Sequence, residues 1–198
     1  MNNARHAIIL LLLVLLGCSP RVANLDSTGK TIVCFGDSIT AGFGAESGAD
    51  YPSLLSRMGS WPVINAGVAG DTTADALKRI EEDVLVHEPR MVIILLGGND
   101  FFRKVPQAET SANMEGIVAQ VQGHGAIAVV AAVKIGLLQD IYTKEFKRIA
   151  REKGALFVPN IMKGILTDPK LKYDQIHPNA AGYRLIAERV YKAIEPLL

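Results

Sequence analysis

The sequence predicts an α/β domain in which helices cover both faces of a parallel sheet, and three observations carry that prediction. Short runs of β-branched and aromatic residues alternate about five times with longer amphipathic stretches, the pattern of repeated strand–helix units. Met91–Leu96 is six apolar residues in a row, which implies a strand buried on both faces, as parallel strands are. The chain has 198 residues, 49% hydrophobic and 21% charged, enough for one domain with a sizeable core. There is no internal repeat, low-complexity stretch or second core.

The first seventeen residues stand apart from the fold. Arg5 precedes Ile8–Leu16, nine apolar residues without a break, far short of the roughly 20 needed to span a bilayer. The run ends in Leu15-Leu16-Gly17-Cys18. That ending resembles the lipobox of bacterial lipoproteins, where cleavage before the Cys exposes it to diacylglycerol; an ordinary secretory signal is the alternative. The expectation is a removable signal over residues 1–17, a lipidated Cys18 with a polar tether to residue 29, and one folded domain over 30–198. The protein would then be exported and held at the periplasmic or cell-surface side of a bacterial membrane, or else secreted.

Within the domain, Ile32–Phe35 reads as the first strand. Tyr51–Met58 is a helix by the spacing of Leu54, Leu55 and Met58, and Val63–Asn65 is a short second strand. Thr73–Val86 is amphipathic, with Ala76, Leu77, Ile80 and Val84 on one side and Lys78, Arg79, Glu81 and Glu82 largely opposite; Pro89 closes it. Met91–Leu96 is the third, central strand. Ser111–Gln122 is a helix ending at Gly-His-Gly, Ile127–Val133 a fourth strand, Ile141–Lys153 a helix stopped by Gly154, and Leu156–Val158 a fifth strand. A loop-rich stretch with Pro159, Gly164 and Pro169 leads to a last helix, Ala180–Ile194. Right-handed crossovers bring the carboxyl ends of all the strands to one edge, the edge where ligands bind in open α/β sheets.

Charge and cysteine usage narrow the partners. The formal net charge is +1, and removing Met1–Gly17 leaves 20 basic residues against 20 acidic. Nothing here points to nucleic acid, and a lipid rather than a basic patch would hold the domain at a membrane. With Cys18 lipidated, Cys34 stands alone in the first strand as a small buried hydrophobe. No disulfide framework exists, no paired histidines stand at metal-ligand spacing, and a monomer is expected.

A serine after a strand is ordinarily a turn or helix-cap residue, so Ser38 needs a partner to be more. Of the three histidines after residue 17, His87 sits near a helix end, where a cation suits the dipole, and His124 lies in a glycine turn. His177 follows Asp174 by three residues in Asp174-Gln175-Ile176-His177-Pro178-Asn179, close enough for the carboxylate to fold back on the imidazole and fix its tautomer. That loop joins the last strand to the last helix, at the edge where Ser38 lies. Two further loops there could supply oxyanion donors: Gly70, whose backbone N–H can approach closely, and Asn99, an uncharged amide with two donors. Each alone also reads as a turn residue. Asp37 as an aspartyl nucleophile fails because Ile39 stands where a second Asp belongs. Gly29-Lys30-Thr31 precedes a strand instead of following one, so it is not a phosphate loop. Gly42-Phe43-Gly44 lacks the third glycine of a dinucleotide site.

The set GDSIT, NAGVAGDT, LLGGND and DQIHPN resembles the four marker loops of the GDSL, or SGNH, hydrolases, in that family's order and across Thr31–Leu198. The likeness is greatest to the bacterial multifunctional thioesterase, lysophospholipase and arylesterase branch. It implies a five-stranded parallel sheet in flavodoxin-like order 2-1-3-4-5. It also implies Ser38 as nucleophile, His177 as base, Asp174 as its orienting acid, and an oxyanion hole of Ser38 N–H, Gly70 N–H and the Asn99 amide. Ile39 stands where the name-giving motif has Leu, a change that keeps the apolar character. The activity implied is that of a serine esterase hydrolysing small carboxylic esters, thioesters or lysophospholipids, with no cofactor. A carbohydrate O-acetylesterase on the same scaffold is the alternative, and a non-catalytic surface lipoprotein the remaining one. Phe101, Phe102, Ile135, Leu137, Leu138 and Ile141, after the third and fourth strands, are candidates for the walls of an acyl groove and favour acyl chains.

Overall fold

The computed structural model describes residues 22–59, 61–134 and 140–198. Five strands, β1 (Ile32–Gly36), β2 (Val63–Gly67), β3 (Met91–Leu95), β4 (Ile127–Ala131) and β5 (Leu156–Val158), form one sheet in the order β2-β1-β3-β4-β5. Every neighbouring pair is parallel, as the sequence led us to expect. Helices α1 (Ser38–Ala41), α2 (Tyr51–Met58), α3 (Thr73–Asp83), α4 (Gly98–Phe102), α5 (Gln107–Gly123), α6 (Asp140–Lys153) and α7 (Ala180–Ile194) complete the described elements. None of the described helices is long and apolar enough to cross a membrane.

Alternation along the strands divides the core into two layers. Ile32, Cys34, Met91, Ile93, Ile127 and Val129 face α2 and α7, where Leu55, Ile186 and Val190 meet them. Val33, Phe35, Val92, Ile94 and Val130 face α3, α5 and α6 through Ile80, Met114, Ile117, Phe146 and Ile149. The three central strands β1, β3 and β4 are buried at every position, which is why their sequences run apolar without alternation. Burial pushes the Cys34 thiol well above its usual range, so it is an inert packing residue.

Most boundaries follow the hydrophobic pattern, and α2, β5 and α7 match the predicted residues. The exceptions have local causes. The predicted helix Thr73–Val86 ends at Asp83 because Val84 leaves helical geometry at φ −127°, and a 3-10 turn follows over Leu85–His87. α5 begins four residues before the predicted Ser111 because its first turn, Gln107–Glu109, is exposed and polar and carries no periodic signal. β4 stops at Ala131, whose partner Val158 is the last residue of β5, so the pairing on that side runs out there. α1 and α4 are not predicted at all, and both carry residues of the site.

Candidate active site

Gly36 and Gly67 end β1 and β2 in register. A Cβ on Gly36 would stand 2.2 Å from Thr40 Oγ1, and one on Gly67 2.2 Å from Ala41 N, so two glycines are what let α1 lie across the strand ends. Asp37 caps that helix, its Oδ1 accepting from Ile39 N–H at 3.0 Å, so its carboxylate serves to fix the loop. Burial, only partly offset by the Ile39 bond and by His177, pushes the Asp37 carboxyl up to about 6. Ser38 is the first helical residue, and its Oγ lies 3.0 Å from His177 Nε2.

The histidine loop holds itself in shape. Asp174 Oδ1 accepts the N–H groups of Ile176 and His177, both at 2.8 Å, and Asp174 Oδ2 lies 2.8 Å from His177 Nδ1. Against desolvation, which raises it, these bonds and the neighbouring ring hold the Asp174 carboxyl down at about 2. Tyr173 N–H donates to His177 O (2.9 Å), closing the turn. Asn179 caps α7 by accepting from Ala181 and Gly182 N–H, while its amide donates to Lys170 O. Phe43 lies against the His177 ring, centroids 4.5 Å apart, with Tyr173 edge-on at 5.9 Å. The buried Tyr183 hydroxyl fixes Phe43 through its carbonyl at 2.8 Å.

Asn99 sits in the first turn of α4, and its Nδ2 donates to Asp71 O at 2.9 Å, which leaves the second N–H of the amide for another acceptor. Asp100, next to it, is fully buried. It accepts from Thr73 N–H (2.9 Å), Thr73 Oγ1 (2.5 Å) and Thr110 Oγ1 (3.2 Å), so α4 is tied to the start of α3 and to α5. Gly70 takes φ +89° in the turn closed by Asp71 N–H to Val68 O, and Arg103 Nη2 donates to its carbonyl at 2.7 Å. Among the described residues the N–H groups of Ser38 and Gly70 enter no hydrogen bond.

Ser38, Asn99 and His177 line one pocket together with Asp37, Ile39, Leu95, Leu96, Phe102, Val133 and Ile176. Phe102 is about half exposed. Phe101 turns away and packs edge-on against Tyr142 of α6 and against Phe102, so of the two predicted phenylalanines only Phe102 reaches the pocket. Ile135, Leu137, Leu138 and Cys18 lie outside the described residues, as does the side chain of Ile141. A larger cavity, about 610 Å³, opens at the opposite edge of the sheet between segment 24–29 and Leu85, Glu88, His124 and Gly125; it contains none of the candidate residues.

Two neighbours of the site escaped the sequence reading. In sequence Phe43 reads only as the middle of an incomplete glycine motif, although an aromatic between two glycines five residues after the candidate serine is a signal. The periodicity of α3 puts Arg79 on the polar face of its helix. Its side chain is instead 17% exposed, stands 4.6 Å from the centre of the Phe35 ring, and pairs with Asp71 at 2.6 Å.

Known proteins resemble this chain in sequence and in fold. The thioesterase 1/protease 1/lysophospholipase L1 of Escherichia coli K12 is 28% identical, over 87% of this chain and 86% of its own. The esterase TesA of Pseudomonas aeruginosa is 29% identical, over 94% and 98%. A crystal structure of TesA superposes with a TM-score of 0.80 at 26% identity, covering 85% of this chain and 99% of that one. With residues 34–185 matching its model, the chain belongs to the GDSL-like lipase/acylhydrolase family.

Proposed function

We propose that this hydrolase cleaves carboxylic esters and thioesters by a two-step acyl-enzyme mechanism at Ser38. The observation that carries the reading is the continuous chain Ser38 Oγ–His177 Nε2 (3.0 Å) and His177 Nδ1–Asp174 (2.8 Å). Ser38 Oγ attacks the carbonyl carbon as its proton passes to His177 Nε2. The oxyanion that forms is stabilised by Ser38 N–H, Gly70 N–H and the free N–H of Asn99. The tetrahedral species collapses to an ester on Oγ, and the imidazolium gives its proton to the departing alkoxide or thiolate. Water then attacks the acyl-enzyme with His177 again as base, releasing the acid and restoring Ser38. Asp174, at about 2, stays a carboxylate throughout and stabilises the imidazolium.

The apolar pocket wall at Leu96, Phe102 and Val133 favours an acyl group over a sugar, with segment 135–141 as the proposed second wall. The relatives named above, a thioesterase/lysophospholipase and an esterase, support acyl thioesters, lysophospholipids and carboxylic esters as the substrate class. We place the protein at the periplasmic or cell-surface side of a bacterial membrane, held as a monomer through lipidated Cys18, with secretion as the alternative.

Ser38→Ala should abolish hydrolysis and covalent labelling by a fluorophosphonate while leaving the fold intact; labelling that survives moves the nucleophile elsewhere. On a series of aryl esters, each methylene buried in the groove adds up to about 0.8 kcal/mol. The rate should therefore climb from acetyl to about hexanoyl or octanoyl and then fall. Phe102→Ala should shift that optimum to longer chains. An optimum fixed at acetyl in both proteins would assign the enzyme to carbohydrate O-acetyl groups instead.

A further inference from the structure

The oxyanion donors of this reading sit on three separate segments, and one side chain outside the pocket touches or braces all three. Arg79, on α3, donates through Nε to Asp71 Oδ2 (2.6 Å), through Nη2 to Gly36 O (3.1 Å) and through Nη1 to Asp83 Oδ2 (2.9 Å). The Gly36 carbonyl lies two residues before Ser38 and also accepts Val68 N–H at 3.0 Å. Val68 O in turn accepts Asp71 N–H, so the turn holding Gly70 is gripped at both ends. Asp71 O accepts from Asn99 Nδ2, which sets the direction of that amide. Arg79 and Asp71 are nearly enclosed, with side chains 17% and 11% exposed, and the guanidinium is stacked over Phe35.

We propose that Arg79 is a positioning residue of the hydrolase, which acts through Gly36 and Asp71 to fix the spacing of the Ser38, Gly70 and Asn99 donors. The inference rests on the assignment of those three as the oxyanion hole. A donor contributes only when it lies at hydrogen-bond distance from the oxyanion itself, and a displacement of about 1 Å from the productive geometry lowers rate on the order of 10²-fold. The planar fork of arginine can address a carboxylate, a carbonyl and an aromatic face at once. A lysine ammonium keeps the charge but cannot hold the three together.

The test compares kcat, KM, fluorophosphonate labelling rate and thermal midpoint for Arg79→Lys, Asp71→Asn, Asp83→Ala and Asn99→Ala, with the double variant Arg79→Lys/Asn99→Ala. Arg79→Lys should lower kcat and the labelling rate about tenfold with KM changed less than twofold, and Asp71→Asn should move the same way. Asp83→Ala, which removes only the more exposed partner, should leave activity as it is. In the Asn99→Ala background the effect of Arg79→Lys should shrink to less than threefold, since one donor it aims is gone. Equal tenfold losses in both backgrounds, or a lowered melting point with kcat retained, would reduce Arg79 to a structural ion pair and overturn the proposal. If Asn99→Ala itself left kcat unchanged, the oxyanion assignment would fall, and the Arg79 proposal with it.

Discussion

Asp37 combines two duties in one buried carboxyl, and its protonation follows from the conflict. Its Oδ1 must accept Ile39 N–H to start α1, yet burial raises its folded value to about 6 from 3.8. The folded chain therefore holds a proton that the unfolded chain has released between about pH 4 and pH 6, and stability falls as pH rises through that window. The shift corresponds to about 3 kcal/mol lost above pH 6, at about 1.4 kcal/mol per pH unit. Asp174 acts with the opposite sign and lower down, contributing stability above 3.8 that disappears as pH falls towards 2. Asp37→Asn keeps an acceptor for Ile39 without the charge. Urea midpoints from pH 4 to 7 should decline in the wild type and stay nearly level in the variant. Parallel curves would show that the Asp37 charge is compensated in the fold. The candidate site residues Ser38, Gly70, Asn99, Asp174 and His177 were legible because each follows the end of a strand, as the first turn of a short helix or in a loop, where the carboxyl edge collects them. Arg79 was not, because helical periodicity reports which face a residue occupies and not how far a guanidinium folds back along its stem.

At the scale of elements, the long periodic segments were legible and the single-turn ones were not. α4 begins Gly98-Asn99, poor helix formers by intrinsic preference, and Gly97 before it takes φ +100°. Its helical form comes from tertiary ties, above all Asp100 at the amino end of α3. α1 likewise depends on the Asp37 cap and on Gly42 in left-handed geometry at its end. A four- or five-residue helix offers no period to detect, so only its neighbours define it. The consequence is testable at Asp100. Asp100→Ala leaves Thr73 N–H and two buried hydroxyls without their acceptor, at about 1–3 kcal/mol for a buried group so exposed. Denaturant unfolding should show a loss of about 3 kcal/mol or more. Turnover should fall as well, because Asn99 is the preceding residue of the loosened turn. A stable variant with full kcat would mean that α4 is held from another side.

The whole molecule has two opposed poles, and this bears on what the enzyme can reach. Ser38, Asn99 and His177 lie at the carboxyl edge of the sheet. The segment from Val22 onward is fastened at the amino edge: Ala23 N–H donates to Gly154 O (2.8 Å), and Asn24 Nδ2 to Gln122 O and Ala126 O (2.9 Å each). Arg90 donates to Ser27 O beside them. From Cys18 to Val22 the chain spans at most about 14 Å, while β1 alone sets the two edges about 17 Å apart. With Cys18 lipidated as proposed, the amino edge rests near the bilayer and the catalytic edge faces away from it. The anchored enzyme should then hydrolyse a soluble aryl ester as fast as the same domain lacking residues 1–21. It should spare lysophospholipid in its own bilayer while cleaving the same lipid in added, protein-free vesicles. Inserting about 30 Gly/Ser residues after Ser19 gives a tether of roughly 30 Å root-mean-square reach, long enough for the domain to turn over, and hydrolysis in the home bilayer should appear. If the unextended protein already cleaves lipid in its own bilayer at the rate of the extended one, the catalytic edge is not held away from the membrane, and the anchor lies elsewhere than Cys18 or the segment fastening the amino edge gives way.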